Sequence, residues 1–188
     1  MSADSQSDRH GVVCQIVALT GFMGAGKTKI GHALAALLGW TFVDLDQEIE
    51  TQEKMPVRDI FRLHGEAHFR EIEADALRRV LAELSSATVI ALGGGTFMQA
   101  ANAELLRNAG VRVVFLEPTV EEMLERCHVP MPPSTENTRP LASDPEAFRA
   151  LYERRLPQYR KADLIVDTAG KSVEDNAQRV AASLGLTS

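Results

Sequence analysis

The chain has 188 residues, of which 45% are hydrophobic and 24% are charged, and its formal net charge is −6 at pH 7. This length and composition predict one soluble globular domain. The negative charge argues against a broad nucleic-acid-binding surface, and no apolar run approaches the roughly 20 residues that a membrane helix needs. The two cysteines, Cys14 and Cys127, predict neither a disulfide framework nor a metal site.

The first eleven residues are polar and include Asp4 and Asp8. They have neither the apolar core of a signal peptide nor the arginine-rich, acid-poor character of a transit peptide. We therefore expect a flexible polar tail over residues 1–11, a single domain over residues 12–188, and a cytoplasmic location.

Buried strands alternate with amphipathic helices along the rest of the chain. Short apolar and β-branched runs predict five strands, at residues 12–19, 40–43, 88–92, 111–116 and 164–167. Apolar residues at steps of three or four predict helices at residues 27–38, 47–53, 57–64, 65–84, 97–108, 119–126, 145–160 and 172–184. This alternation indicates an α/β fold in which a parallel sheet carries helices on both faces.

A glycine-rich segment follows the first predicted strand and opens the first predicted helix. Residues 21–28 match G-x-x-x-x-G-K-[ST], the P-loop, in which backbone amides face phosphates and the lysine reaches the β and γ oxygens. The last position places its hydroxyl on Mg²⁺, and the helix N-terminus favours an anion. The segment therefore predicts an ATP site formed by Gly24, Ala25, Gly26, Lys27, Thr28 and Lys29.

Polar groups follow the next strands. Asp44 and Asp46 come after the second strand, three glycines at residues 93–95 come after the third, and residues 127–143 beyond the fourth contain four prolines. A ligand of an open parallel sheet lies outside the carboxyl ends of its strands, so we expect all three groups near the P-loop. A proline-rich segment of that length in a compact domain predicts a functional or disordered loop.

The two aspartates lie two residues apart, so their side chains would point to the same side of an extended segment. Phosphoryl transfer needs one carboxylate near the metal and one to orient or deprotonate the attacking hydroxyl. Simpler alternatives exist for each signal. The aspartates could only cap the next helix, the glycines could only form a turn, Arg70 could pair with Glu66 on the surface, and Arg155 could be a surface charge.

Together these segments resemble the shikimate kinase family over nearly the whole chain after the tail. The resemblance covers the P-loop, Asp44-x-Asp46, Gly65-Glu66-Ala67-His68-Phe69-Arg70, Gly93-Gly94-Gly95, Arg139-Pro140-Leu141 and Arg155-x-Pro157-x-Tyr159. It implies the three-layer P-loop kinase fold, with a five-stranded parallel sheet and a mobile lid at about residues 127–143. It also implies transfer of phosphate from ATP to the 3-hydroxyl of shikimate, on the route to chorismate and the aromatic amino acids.

Matching positions imply the roles of individual residues. Asp46, Lys27 and Arg139 would be catalytic, with Arg139 reaching ATP from the lid. Thr28 and Asp44 would hold Mg²⁺, the implied cofactor. The implied shikimate-binding residues are Asp46, Arg70, Gly93, Gly94, Gly95 and Arg155. We expect a monomer whose partners are shikimate and ATP, and neither nucleic acid nor a membrane.

Two departures and two alternatives qualify the resemblance. The lid is several residues longer than is usual in the family, and Lys29 stands where serine or threonine is frequent. A gluconate kinase-like enzyme would share the P-loop, but it has no reason to carry Arg70, the glycine triplet and Arg155 together. An ATP-binding switch module would bind nucleotide without turnover of a small molecule, and the chain lacks the Asn-Lys-x-Asp motif of GTPases.

Overall fold

The computed structural model describes residues 15–128 and 144–186. The predicted polar tail, Arg139 and all but the first two residues of the predicted lid lie outside these ranges. In the described part of the chain, none of the helices combines the length and apolar character that crossing a bilayer requires.

The described residues form an α/β structure with a single five-stranded sheet. Its strands are β1 Ile16–Thr20, β2 Thr41–Asp44, β3 Thr88–Ala91, β4 Arg112–Glu117 and β5 Leu164–Asp167. The α-helices are α1 Lys27–Leu38, α2 Leu45–Glu53, α3 Val57–Glu83, α4 Ala100–Asn108, α5 Val120–His128, α6 Pro145–Tyr159 and α7 Val173–Ser183. A short 3-10 helix, Thr96–Met98, lies between β3 and α4.

All neighbouring strands run parallel, in the order β2-β3-β1-β4-β5. In the central strand, Val17 pairs with Val89 on one side and with Arg112 on the other. Helices cover both faces of the sheet, which is why β3 is buried at every position and apolar after Thr88. The predicted fold class, a five-stranded parallel sheet flanked by helices, is confirmed.

Besides the two apolar clusters on the faces of the sheet, a third apolar cluster lies under α5 and α6. Its buried members are Phe22, Phe115, Met123, Phe148, Tyr152 and Tyr159. Phe22 belongs to the P-loop and makes an edge-to-face contact with Phe148 of α6, with ring centroids 4.9 Å apart. The cluster therefore fixes the position of α6 relative to the P-loop.

Several element bounds differ from the prediction. The first strand begins at Ile16, and residues 12–14 of the predicted strand lie outside the described residues. Helix α2 begins at Leu45, two residues before its predicted start. The two helices predicted at residues 57–84 form one element that is broken at Gly65, where φ is 81° and ψ is 173°. At its end α5 runs two residues beyond the prediction, to His128, so the first two residues of the predicted lid are helical.

The strand order brings two of the three predicted groups, the aspartates and the glycine triplet, beside the P-loop, and most of the third lies outside the described residues. The P-loop follows β1, Asp44 is the last residue of β2, and the glycines at residues 93–95 follow β3. Because β3 lies between β2 and β1, the glycine turn lies between Asp44 and the P-loop.

Candidate active site

The P-loop turns tightly around the N-terminus of α1. Gly24 and Gly26 have φ values of 79° and 88°, a region that glycine enters freely. A side chain at Gly24 has no room, because its Cβ would lie 2.5 Å from the carbonyl oxygen of Met123. No side chain caps α1, so the first amides of this helix can bind an anion.

The other predicted nucleotide residues lie around this loop. Lys27 folds back over it, and its Nζ donates to the carbonyl oxygens of Gly21 at 2.9 Å and Phe22 at 3.1 Å. The side chain of Ala25 is buried in the core, so only its backbone can contact a ligand. Lys29 is exposed.

Asp44 both caps α2 and contacts the P-loop. Its Oδ1 accepts from the backbone amides of Asp46 at 3.1 Å and Gln47 at 3.4 Å. Its Oδ2 accepts from the hydroxyl of Thr28 at 2.7 Å. Helix capping therefore accounts for Oδ1 of Asp44 but not for Oδ2, which contacts the P-loop. The expectation of an extended segment is wrong, since Asp46 lies in the first turn of α2.

Asp46 is a carboxylate in an environment that disfavours its charge. Burial raises its pKa from 3.8 to about 6, the positive charge of Lys27 lowers it, and the negative charges of Asp44 and Glu73 add to the rise. The carboxylate also lies against the glycine turn, because a Cβ at Gly93 would be 2.7 Å from its Oδ1. A group whose pKa lies this close to neutral pH is suited to proton transfer.

The raised pKa of Asp46 predicts that the ionised side chain destabilises the ligand-free fold. The folded chain binds this proton more tightly than the unfolded chain, so the cost appears as pH rises from about 4 to about 6 and persists above. Asp46→Asn should therefore raise the free energy of unfolding at pH 8 by on the order of 2 kcal/mol. Urea unfolding at pH 8 and pH 4 checks this, and a variant that is less stable than the parent at pH 8 would contradict it.

Arg70 lies on α3, beyond the break at Gly65, and contacts two carboxylates. Its Nη1 donates to Oε2 of Glu73 at 2.8 Å and its Nη2 donates to Oε1 of Glu66 at 3.0 Å. The Arg70 side chain is only 17% exposed, so a solvated surface pair with Glu66 is not an adequate account. Among the described residues its buried Nε has no hydrogen-bond partner, which leaves a donor that a ligand could satisfy.

Glu73 is a site residue that sequence reasoning missed. Its side chain is 1% exposed and accepts hydrogen bonds from Arg70 at 2.8 Å and from the hydroxyl of Thr96 at 2.7 Å. One signal for it was present in the sequence. Position 73 falls on the buried stripe of α3 with Phe69, Ala76, Leu77 and Val80. A carboxylate on such a stripe is uncommon unless it is paired.

The glycine turn allows charged side chains to approach its backbone closely. A Cβ at Gly95 would lie 2.5 Å from Nη1 of Arg70, just as a Cβ at Gly93 would collide with Asp46. The turn-only alternative does not account for these two contacts. Glycine is required here because the guanidinium and the carboxylate occupy the space that side chains would need.

Gly95→Ala should displace Arg70 without unfolding the protein, because the obstructing atoms are the far end of a flexible side chain. Displacement of the Arg70 guanidinium should raise KM for the substrate that it binds, which the resemblance implies is shikimate, about 10-fold. Steady-state kinetics with each substrate varied in turn measures this. An unchanged KM for both substrates would contradict the role of this close contact.

Arg155 reaches the same turn from α6. Its Nη1 lies 3.4 Å from the carbonyl oxygen of Gly94, and its Cζ lies 5.7 Å from the centroid of the Phe22 ring. The side chain is half-buried, so it is not simply a surface charge. Arg70 and Arg155 therefore contact two consecutive glycines, Gly95 and Gly94.

Arg126 of α5 is a second residue that sequence reasoning missed. Its Nη1 donates to the carbonyl oxygen of Gly24 at 3.2 Å, and its Nη2 lies 3.5 Å from Oε1 of Glu122. That oxygen also accepts from the amide of Gly170 at 2.8 Å, which ties the loop after β5 to α5. A lone arginine in a polar helix gives no signal in the sequence that it contacts the P-loop.

Comparison with known proteins identifies the family. The sequence model for shikimate kinase matches residues 23–184. The chain belongs to the shikimate kinase family. A shikimate kinase from Moorella thermoacetica is 39% identical over 170 residues, which are 89% of this chain and 93% of the relative. A shikimate kinase from Geobacter metallireducens is 43% identical over 162 residues, which are 85% of this chain and 86% of the relative.

A solved structure supports the same family at the level of the fold. Shikimate kinase from Acinetobacter baumannii, in complex with shikimate, has a TM-score of 0.81 and 34% sequence identity. The similarity covers 92% of this chain and 94% of the solved one. The predicted family is therefore confirmed, and kinases of this family take ATP as co-substrate.

Proposed function

We propose that this protein transfers the γ-phosphoryl group of ATP to the 3-hydroxyl of shikimate, which yields shikimate 3-phosphate and ADP. Beyond membership of the family, one observation carries this proposal. Three consecutive glycines join a partly buried carboxylate to two guanidinium groups: Gly93 faces Asp46, Gly94 accepts from Arg155, and Gly95 faces Arg70. A substrate bound along this turn would have Asp46 at one end, to accept hydrogen bonds from its hydroxyl groups. At the other end it would have Arg70 and Arg155, to bind its carboxylate.

Shikimate fits this arrangement because it is a small ring with one carboxylate and three hydroxyls. Arg70 and Arg155 bind the carboxylate, since the planar guanidinium fork matches a carboxylate and lysine offers only a point charge. Asp46 accepts hydrogen bonds from the hydroxyl groups at the opposite end. The backbone amides of the glycine turn offer further donors with no side chain in the way.

The chemistry at the hydroxyl is divided between Asp46 and Lys27. Asp46 orients the 3-hydroxyl toward the phosphate and accepts its proton as the new O–P bond forms. Lys27 leaves the carbonyl oxygens of Gly21 and Phe22 for the β and γ oxygens, where negative charge develops. Arg139 remains the predicted second cation at the phosphates. The monomeric state and the cytoplasmic location also remain predictions.

Thr28 and Asp44 are the residues that would hold Mg²⁺. They fit this ion because they offer a hydroxyl and a carboxylate 2.7 Å apart beside the P-loop. Kinases hold Mg²⁺ through one or two such oxygen ligands together with substrate phosphates. When bound, the ion supplies positive charge at the β and γ phosphate oxygens.

A substrate comparison tests the proposal. Purified protein is given ATP and Mg²⁺ with shikimate, gluconate or AMP, and release of ADP is followed together with the phosphorus NMR spectrum of the product. We expect ADP release and a new phosphate ester with shikimate alone. Turnover of gluconate without turnover of shikimate would indicate a different small-molecule kinase. Tight ATP binding with no acceptor turnover would indicate a switch module.

A further inference from the structure

Three side chains tie the C-terminal end of α6 to the glycine turn and to the 3-10 helix that follows it. The hydroxyl of Tyr159 donates to the carbonyl oxygen of Gly94 at 2.5 Å, and Arg155 donates to the same oxygen at 3.4 Å. Gln158 donates to the carbonyl oxygen of Phe97 at 3.1 Å. These bonds connect residues that lie 61 or 65 positions apart in the chain, so they fix how α6 docks on the turn.

Tyr159 is the most firmly held of the three. It is fully buried, and its ring stacks on Phe115 with centroids 5.1 Å apart and an interplanar angle of 11°. Burial raises the pKa of Tyr159 to about 12. The phenol is therefore protonated at any working pH and acts as a hydrogen-bond donor.

We infer that Tyr159 is a positioning residue for the shikimate subsite, whose hydroxyl satisfies the Gly94 carbonyl and so leaves the Arg155 guanidinium available to the substrate carboxylate. The two donors compete for one oxygen. The phenol bond is short, whereas 3.4 Å is long for an N–H···O bond, so Arg155 gives up little when it turns to a ligand. Without the phenol, the carbonyl would draw the charged donor toward itself.

The same bond also orients a backbone amide. In a trans peptide the carbonyl and the amide point in opposite directions, so fixing the Gly94 carbonyl fixes the Gly95 amide on the other side. Gly95 lies against Arg70. One buried phenol thus stabilises the part of the turn that lies between the two arginines. This role depends on the proposed function, because it concerns the carboxylate end of shikimate.

Tyr159→Phe removes the hydroxyl and keeps the stacked ring. Tyr152→Phe is the matched control, because Tyr152 lies two turns earlier on α6, in the same apolar cluster. We expect Tyr159→Phe to raise KM for shikimate about 10-fold, with KM for ATP within about twofold of the parent. The control should change neither KM beyond about twofold. Partial unfolding would raise the apparent KM for shikimate and for ATP alike, so an unchanged KM for ATP excludes it as the cause.

A double-mutant cycle separates positioning from general support of the fold. In an Arg155→Lys background, Tyr159→Phe should raise KM for shikimate by less than about threefold, because the competing guanidinium is already gone. An equal effect in both backgrounds, or equal rises in KM for shikimate and for ATP, would overturn the assignment. If the parent phosphorylates shikimate and Tyr159→Phe has the same KM for shikimate as the parent, only the proposed role of Tyr159 fails. If the parent does not phosphorylate shikimate, both the role and the proposed function fail.

Discussion

Asp46→Asn should lower kcat by roughly 10²-fold or more, which is the range for loss of a positioned base. Asparagine keeps the shape of the side chain but cannot accept the proton of the attacking hydroxyl. The ATP site should be affected little, because Thr28 donates to Asp44 and Lys27 donates to the carbonyl oxygens of Gly21 and Phe22, and the substitution changes none of these bonds. We therefore expect KM for ATP to stay within about twofold of the parent value.

Kinetics across pH distinguish a proton acceptor from a merely structural carboxylate. For the parent, kcat/KM for shikimate should fall as pH drops below about 6, because Asp46 must be ionised to accept a proton. In Asp46→Asn this fall should be absent. Glu48→Gln, in the same turn of α2, is the control and should keep the parental profile. Near-parental turnover by Asp46→Asn would remove Asp46 from the chemistry.

Arg70→Lys should weaken shikimate binding by on the order of 2 kcal/mol, a factor of about 30. Lysine retains the positive charge, so Glu73 keeps a partner and the fold should survive. What is lost is the planar fork, which donates to Glu73 and Glu66 and still has an unsatisfied Nε. The affinity for ATP should not change, because the hydrogen bonds of Arg70 within the described residues go to Glu73 and Glu66 and not to the P-loop.

Calorimetric titration with shikimate, and separately with ATP and Mg²⁺, measures the effect of Arg70→Lys. Arg62→Lys on the same helix is the matched control, because Arg62 is 72% exposed and forms its ion pair with Asp59, away from the glycine turn. The control should bind both ligands as the parent does. Equal weakening of shikimate and ATP binding by Arg70→Lys would indicate a role in folding or at the phosphates instead.

Much of the fold followed from local patterns in the sequence. Apolar runs such as residues 88–92 are buried on both faces of the sheet, and the P-loop match lies between a strand and a helix as predicted. The position of the aspartates and the glycine triplet beside the P-loop, at the carboxyl ends of the strands, then followed from parallel topology alone. These features could be predicted because each depends on a contiguous segment or on a general rule of sheet architecture.

The remaining features depend on contacts between distant segments. The sequence offered helix capping as one alternative for the aspartates, but it did not show that Asp44 is the cap or that Asp46 lies in a helical turn. Nor did it show that Glu73 would bridge Arg70 and the hydroxyl of Thr96, 23 positions away. The bond from Tyr159 to the glycine turn spans 65 positions. Arg139 lies outside the described residues, and its role stays a prediction.

The most direct measurement is a crystal structure of the protein with shikimate bound. We expect the carboxylate of shikimate to contact both Arg70 and Arg155, with a ring hydroxyl within hydrogen-bond distance of Asp46 and facing the P-loop. A shikimate molecule bound in the reverse orientation, with its carboxylate at Lys27 or away from both arginines, would contradict this account.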